Sequence, residues 1–250
     1  MLGFLLARAG VQVTVLEKHA DFLRDFRGDT VHPSTLDVIA ELGLLGAFLE
    51  RPHDKARDVR AVIGGAEVVI ADFSRLRTRC GFIAMMPQWE FLDFLRDEAA
   101  RYPEFDLRME SEATGLVEED GRVAGVKVRT REGERELRAD LVVAADGRRS
   151  ALRSAANFEV KSLGAPIDVL WLRIGKRPGD PSGSTGRIGT GRFMAMIDRG
   201  TYWQCAYVIH KGGHDVIRAR GLEAFRADIA AIVPLFAARV DADLASWDDV

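Results

Sequence analysis

Glu17 stands at the end of a nearly unbroken apolar run, Val11 to Leu16, and Asp146 ends another, Leu141 to Ala145, with Gly147 directly after it. Runs of this kind are what strands buried in a parallel sheet look like. Ligands of doubly wound sheets lie beyond the carboxyl ends of the strands, so a carboxylate at such an end can accept hydrogen bonds from a ribose hydroxyl. Gly147 lets the backbone turn closely after Asp146. Metal chemistry fits less well. His210 and His214 are four apart, but Gly212 and Gly213 between them spoil the helix that would aim both at one ion. Gly186, Gly189 and Gly191 come in the wrong order for a dinucleotide loop, and no Gly-x-x-x-x-Gly-Lys-Ser/Thr string occurs.

The elements that must position these groups can be read from periodicity. Leu2, Leu5, Leu6 and Ala9 repeat at helical spacing up to Gly10, a natural helix C-cap. A polar loop follows Lys18, and Pro33-Ser34 then opens a helix with Ser34 as N-cap, Leu36, Ile39 and Ala40 on one face, and Gly43 at its end. Val59 to Ile63 and Val68 to Ala71 flank Gly64-Gly65 as a hairpin. A helix starts at Gln88 with the stripe Phe91, Leu92, Leu95 and Ala99. Strands follow over 107–109, 114–117 and 123–129, then Leu141 to Ala145, and Ser150 caps a short helix. Beyond residue 160 the pattern becomes antiparallel β: Val169 to Ile174, Phe193 to Ile197 and Tyr202 to Ile209. Leu222 to Val233 is an amphipathic helix broken by Pro234, and Gly179 to Gly191 reads as a flexible surface loop.

Bulk properties narrow the class. Of 250 residues, 47% are hydrophobic and 29% charged, enough for a core of one large domain or two intertwined ones. A net charge of −3 with no basic block gives no basis for nucleic-acid binding. The two cysteines, Cys80 and Cys205, lie far apart in apolar stretches and read as core residues in a reducing compartment. The opening apolar stretch is too short for a signal core, and nothing approaches a membrane span, so a cytoplasmic protein is expected.

Four ordered segments, residues 11–18, 25–36, 87–95 and 139–153, resemble the FAD-dependent monooxygenases related to p-hydroxybenzoate hydroxylase. Val-Thr-Val-Leu-Glu-Lys looks like their second strand, and Phe26-Arg27-Gly28-Asp29-Thr30 like their Arg-bearing segment. Pro87-Gln88 matches a helix start whose Gln contacts flavin, and residues 139–150 resemble their Asp-Gly motif. Asp168 to Arg173 resembles the start of their substrate-domain sheet. The W-x-W-x-I-P string of flavin halogenases is missing, which favours a hydroxylase.

The resemblance implies an α/β fold: a Rossmann-like FAD-binding domain, without its first strand, interleaved with a mostly antiparallel substrate domain. The first would comprise 1–55 and 82–157, the second 56–81 and 158–250. It implies FAD bound by Glu17, Lys18, Arg27, Gln88, Asp146 and Gly147, with NADH or NADPH as reductant. One oxygen atom would be inserted into a small aromatic or polyketide-like substrate. Met194, Met196, Tyr202 and Trp203 are candidate liners of its site. No acid, base or nucleophile is assigned, because the hard chemistry belongs to the cofactor. The family's Gly-rich phosphate loop and later Gly-Asp motif are absent, so both ends are expected to fall inside a longer protein. An FAD-dependent reductase or dehydrogenase on the same fold, or a non-catalytic fragment lacking flavin, are the alternatives.

Overall fold

The computed structural model describes residues 1–23 and 30–250, so Arg27 lies outside the described residues. Helix α1 (Leu2–Arg8) stops as Gly10 takes φ +80°, and strand β1 (Val13–Leu16) follows. After β2 (Thr30–Val31), helix α2 (Pro33–Glu41) begins on Pro33 itself, whose fixed φ and missing N–H suit a first turn. Ser34 therefore lies inside α2, and His32 is the N-cap in place of the expected Ser34. Helix α3 (Leu45–Leu49) and strand β3 (Asp54–Ala56) lead to the hairpin β4 (Asp58–Ile63) and β5 (Ala66–Asp72). Its turn residues, Gly64 and Gly65, have φ +57° and +87°, the paired positive values that a tight hairpin turn requires.

Strand β6 (Ile83–Met85) precedes helix α4 (Gln88–Ala99). The buried stripe of α4 is Phe94, Leu95, Glu98 and Ala99; Phe91 and Leu92 are only partly covered. Then come β7 (Phe105–Arg108), β8 (Glu112–Glu119), β9 (Arg122–Thr130), β10 (Gly133–Arg138) and helix α5 (Ala151–Ala155). The last part holds β11 (Ile167–Gly175), β12 (Thr185–Gly189), β13 (Arg192–Asp198) and β14 (Tyr202–His210), then α6 (His214–Arg220), α7 (Leu222–Ile232) and α8 (Val240–Asp243).

The chain forms two compact units, Met1–Asp25 with Gln88–Ser162, and Phe26–Pro87 with Leu163–Val250. Compactness thus groups residues 30–55 and 82–87 with the second unit and 158–162 with the first, whereas the sequence reading grouped them the other way. In the first unit β1 pairs in parallel with β7, and β8, β9 and β10 form an antiparallel meander. A small cluster of Val126, Val128 and Leu152 gathers Leu16, Leu116, Leu137 and Val142 around it. In the second unit a six-stranded sheet runs β11-β14-β13-β12-β4-β5, and β2-β6-β3 form a smaller one.

Three sequence expectations fail here. Leu141 to Ala145 is not a strand: its backbone joins no ladder among the described residues, and Leu141 and Val143 are 78% and 54% exposed while Val142 turns inward. A strand needs a neighbour to take its N–H and C=O groups, and apolar composition alone supplies none. For the same reason β1, paired along one edge only among the described residues, is half-buried rather than buried on both faces. The expected loop 179–191 contains β12, which bridges β13 and β4.

The second unit is fastened by a buried ion pair. Arg239 grips both oxygens of Asp180 at 2.6 and 2.9 Å, with side-chain exposures of only 4% and 6%. Arg239 also donates to the Gly175 and Leu235 carbonyls, which ties the segment before α8 to the edge strand β11. The guanidinium holds the Asp180 carboxyl well below the usual carboxylate range. A depressed value means that this contribution is full at neutral pH and is lost only as pH falls through that lowered value. Removing one partner strands a buried charge. Arg239→Met is therefore expected to cost about 3–5 kcal/mol in urea unfolding followed by tryptophan emission, and Asp180→Leu/Arg239→Met to recover much of it. A loss under 1 kcal/mol for the single variant would show the pair to be dispensable.

Candidate functional site

Glu17 follows β1 directly, and its backbone is pinned on both sides. Its N–H donates to the Arg108 carbonyl at 2.9 Å and its own carbonyl accepts from Ser111 N–H at 2.9 Å. The His19 amide donates to Glu17 Oε1 at 2.9 Å, which fixes the side chain over the strand end. Lys18 beside it is exposed. What sets the height of this carboxylate is the packing of α1 on β1. A Cβ added at Gly3 would lie 2.6 Å from Val15 Cγ2 and 3.2 Å from the Phe105 ring, so the helix rides on the strand at a distance only glycine permits. Such a glycine-mediated helix–strand contact is a working part of dinucleotide folds. Sequence reasoning passed over Gly3; a lone glycine inside an apolar helical stretch is the signal that marks it.

Asp146 and Gly147 form the second part. Partial burial opposes ionisation of Asp146, but hydrogen bonds from Ser150 and the amides of Ala151 and Leu152 outweigh it and hold the carboxyl below its usual range. Ser150 caps α5 as expected, its Oγ accepting from Arg153 N–H at 2.9 Å. The Asp146 carboxylate is therefore spent on the first turn of α5. Gly147 has φ +87° with open space where a Cβ would be, the conformation that glycine adopts freely. Leu16, next to Glu17, and Leu152, in α5, pack on the same apolar cluster, which brings the two motifs to one end of the unit.

Gln88 is the first residue of α4, half-buried, and it belongs to the same unit as Glu17 and Asp146. In the same unit a cavity of about 330 Å³ is lined by the loop after Glu17 (Ala20, Asp21, Phe22, Leu23), by α4 (Trp89, Asp93, Arg96) and by Met109, but not by Gln88. Of the expected cofactor residues, Glu17, Lys18, Gln88, Asp146 and Gly147 thus all fall in the first unit.

The expected substrate liners fare differently. Met194, Met196 and Trp203 are buried in the core between the large sheet and α7, and only Tyr202 is partly open. Alternation along a strand accounts for this, since the face that packs on a helix excludes ligands. Cys205 lies in the same core, and burial pushes its thiol up to about 12, which makes it inert. Both cysteines are free. Among the described residues no group of His, Cys, Asp or Glu could hold a metal, and no helix is long and apolar enough to cross a membrane.

Comparison with known families places the chain as a whole: the model of the FAD binding domain matches residues 1–243. The chain belongs to the FAD binding domain family. A 6-methylpretetramide 4-monooxygenase of Streptomyces rimosus is 28% identical over the whole chain, which covers 60% of that relative. A rifampicin monooxygenase of Streptomyces venezuelae is 34% identical over 155 residues, 61% of this chain and 30% of the relative. Among solved structures, the myxobacterial chondrochloren halogenase CndH superposes with a TM-score of 0.76 at 20% identity, over 99% of this chain and 59% of its own. A likeness at that identity shows the shared mixed α/β fold with antiparallel sheets. The chain spans about three-fifths of the length of the first of these relatives. A carboxylate at a strand end, beneath a helix held close by glycine, is an acceptor of the kind that dinucleotide folds offer to a ribose hydroxyl.

The Gly3 contact can be tested by itself. Alanine is the better helix former by about 1 kcal/mol. Its methyl would nevertheless strike the stiff, β-branched Val15, and overpacking costs about 1–3 kcal/mol. Gly3→Ala is therefore expected to lower stability by about 1 kcal/mol net in chemical denaturation. A stabilised Gly3→Ala protein would show that α1 and β1 have room to spare.

Proposed function

We propose that this chain is part of an FAD- and NAD(P)H-dependent monooxygenase that hydroxylates a small aromatic or polyketide-like substrate. The family supports the cofactor, and the names of the relatives, monooxygenases of 6-methylpretetramide and rifampicin, support the reaction and the substrate class. The observation that carries the reading is Glu17, fixed at the carboxyl end of β1 below the Gly3 contact.

In this reading Glu17 accepts hydrogen bonds from the adenosine ribose, with Lys18 at the rim. Gln88, at the head of α4, offers its amide to the cofactor, and Arg27 adds a cation. Asp146 acts through the turn it fixes, and Gly147 lets the backbone approach the ligand. When bound, FAD supplies electron transfer from NADH or NADPH and the activation of oxygen. The chain's own residues bind, orient and shield. This assignment explains why no acid, base or nucleophile stands out among the motifs.

Titrating the purified chain with FAD, followed by the flavin absorbance spectrum, is the test. A hydrogen bond to a charged group is worth about 1.5–3 kcal/mol, so Glu17→Ala is expected to weaken FAD about ten- to a hundredfold. Equal affinity in the variant, or no shifted flavin spectrum with the folded chain, would remove this reading.

A further inference from the structure

The large sheet of the second unit ends on one side in β5, and the edge it leaves there is open. Among the described residues the only backbone hydrogen bonds of 66–71 are those to β4. Residues 66–70 are exposed, with Val68, Val69 and Ile70 at 40%, 50% and 54%, so successive side chains stand uncovered on both faces. Ile63 and Ile188, side by side on β4 and β12, extend this apolar surface at 41% and 37%. Two other strand edges carry a guard. On β11, at the opposite edge of the same sheet, the Gly175 N–H donates to Asp243 Oδ2 at 3.0 Å and its carbonyl accepts from Arg239. Strand β10, an edge of the meander in the first unit, presents Glu134, Arg135, Glu136 and Arg138. The stretch 66–71 of β5 holds one charge, Glu67, and Arg60 on β4 neutralises it at 2.8 Å.

The register of the hairpin determines which backbone groups this edge offers. A two-residue turn makes its flanking pair, Ile63 and Ala66, exchange hydrogen bonds, and the pattern alternates along an antiparallel ladder. Ala61 and Val68 therefore bond to each other, while Glu67 and Val69 turn their N–H and C=O groups outward. Past Val69 the register shift beside Arg60 breaks the alternation, which limits the open stretch to 66–70. A second copy lying antiparallel meets these outward groups in one register, with Glu67 opposite Val69 of the other copy and the twofold axis at Val68. A register centred on Glu67 would set two carboxylates directly opposite each other, which is unfavourable. One centred on Val69 would set Glu67 opposite Ala71, which the shift has turned back to Val59 of β4.

We propose that two copies of this chain join edge to edge through β5, antiparallel about an axis at Val68, so that their large sheets become one. Each Glu67–Val69 pair exchanges its N–H and C=O groups across the join. Val68 meets its own counterpart in the close, non-hydrogen-bonded pairing, with Cα atoms about 4.5 Å apart, and Ala66 meets Ile70. The two Glu67 carboxylates lie diagonal to each other, each held by its own Arg60. The same small and β-branched residues serve both sides, as a self-complementary twofold contact requires. The pairing covers a short stretch, so the dimer belongs to the weak class, with a dissociation constant on the order of 10 µM.

Sedimentation velocity of the chain from about 1 to about 200 µM, a range that brackets that constant, is expected to show monomer giving way to dimer. Val69→Pro removes an outward N–H that β4 does not use. It should weaken the dimer about tenfold or more while circular dichroism and the urea midpoint stay as they were. Val68→Cys reads the register, because its Cα atoms would fall at the near end of the roughly 4.4–6.8 Å range of a disulfide. The native cysteines are both buried and do not compete. Air oxidation should cross-link Val68→Cys into a dimer on a non-reducing gel and leave Val69→Cys, diagonal to its counterpart, as monomer. A chain that stays monomeric throughout the range overturns the proposal. So does a dimer indifferent to Val69→Pro, or cross-linking of Val69→Cys in preference to Val68→Cys.

Discussion

Helix α1 and strand β1 touch where Gly3 carries no side chain, and a methyl group there would stand 2.6 Å from Val15. That closeness brings α1 down on the strand whose end carries Glu17. The parallel pairing with β7 then pins the Glu17 backbone from the other side, and the His19 amide orients its carboxylate. One end of the first unit is thereby shaped around a single acceptor. The Asp146 turn is drawn to the same end because Leu16 and Leu152 share an apolar cluster.

The second unit obeys a different constraint, the period of two along its strands. Each strand of the large sheet gives one set of side chains to α7 and its neighbours and the other set to the opposite face. Core formation claims the bulky residues, Met194, Met196 and Trp203 among them. The Asp180–Arg239 pair holds the helical segment against the sheet edge.

Much of this was legible in the chain. Gly64-Gly65 marked a hairpin because only glycine tolerates two successive positive φ values cheaply, and Ser150 marked α5 because a hydroxyl can take an orphan amide. The place of Glu17 directly after a strand was readable from the β-branched run before it. What escaped depended on neighbours. Strand β10, with the sequence Gly-Glu-Arg-Glu-Leu-Arg, looks like a solvated segment and becomes a strand only through its pairing with β9. Strand β12 hides in a Gly- and Ser-rich stretch and is held by β13 and β4. Leu141 to Ala145 shows the converse, a strand-like composition with no partner to pair with. The side of the sheet on which Met194 and Met196 would fall could not be told from alternation alone, which gives a period and not a direction.

The most direct test of the central claim is a map of where the adenosine half of the cofactor touches the chain. Backbone amide NMR of the labelled protein titrated with AMP would give it residue by residue. The account predicts that the largest shifts fall on Val15 to His19 and on Gly3, with the strands of the large sheet unmoved. Shifts confined to that sheet, or none at the end of β1 while AMP binds elsewhere, would contradict it.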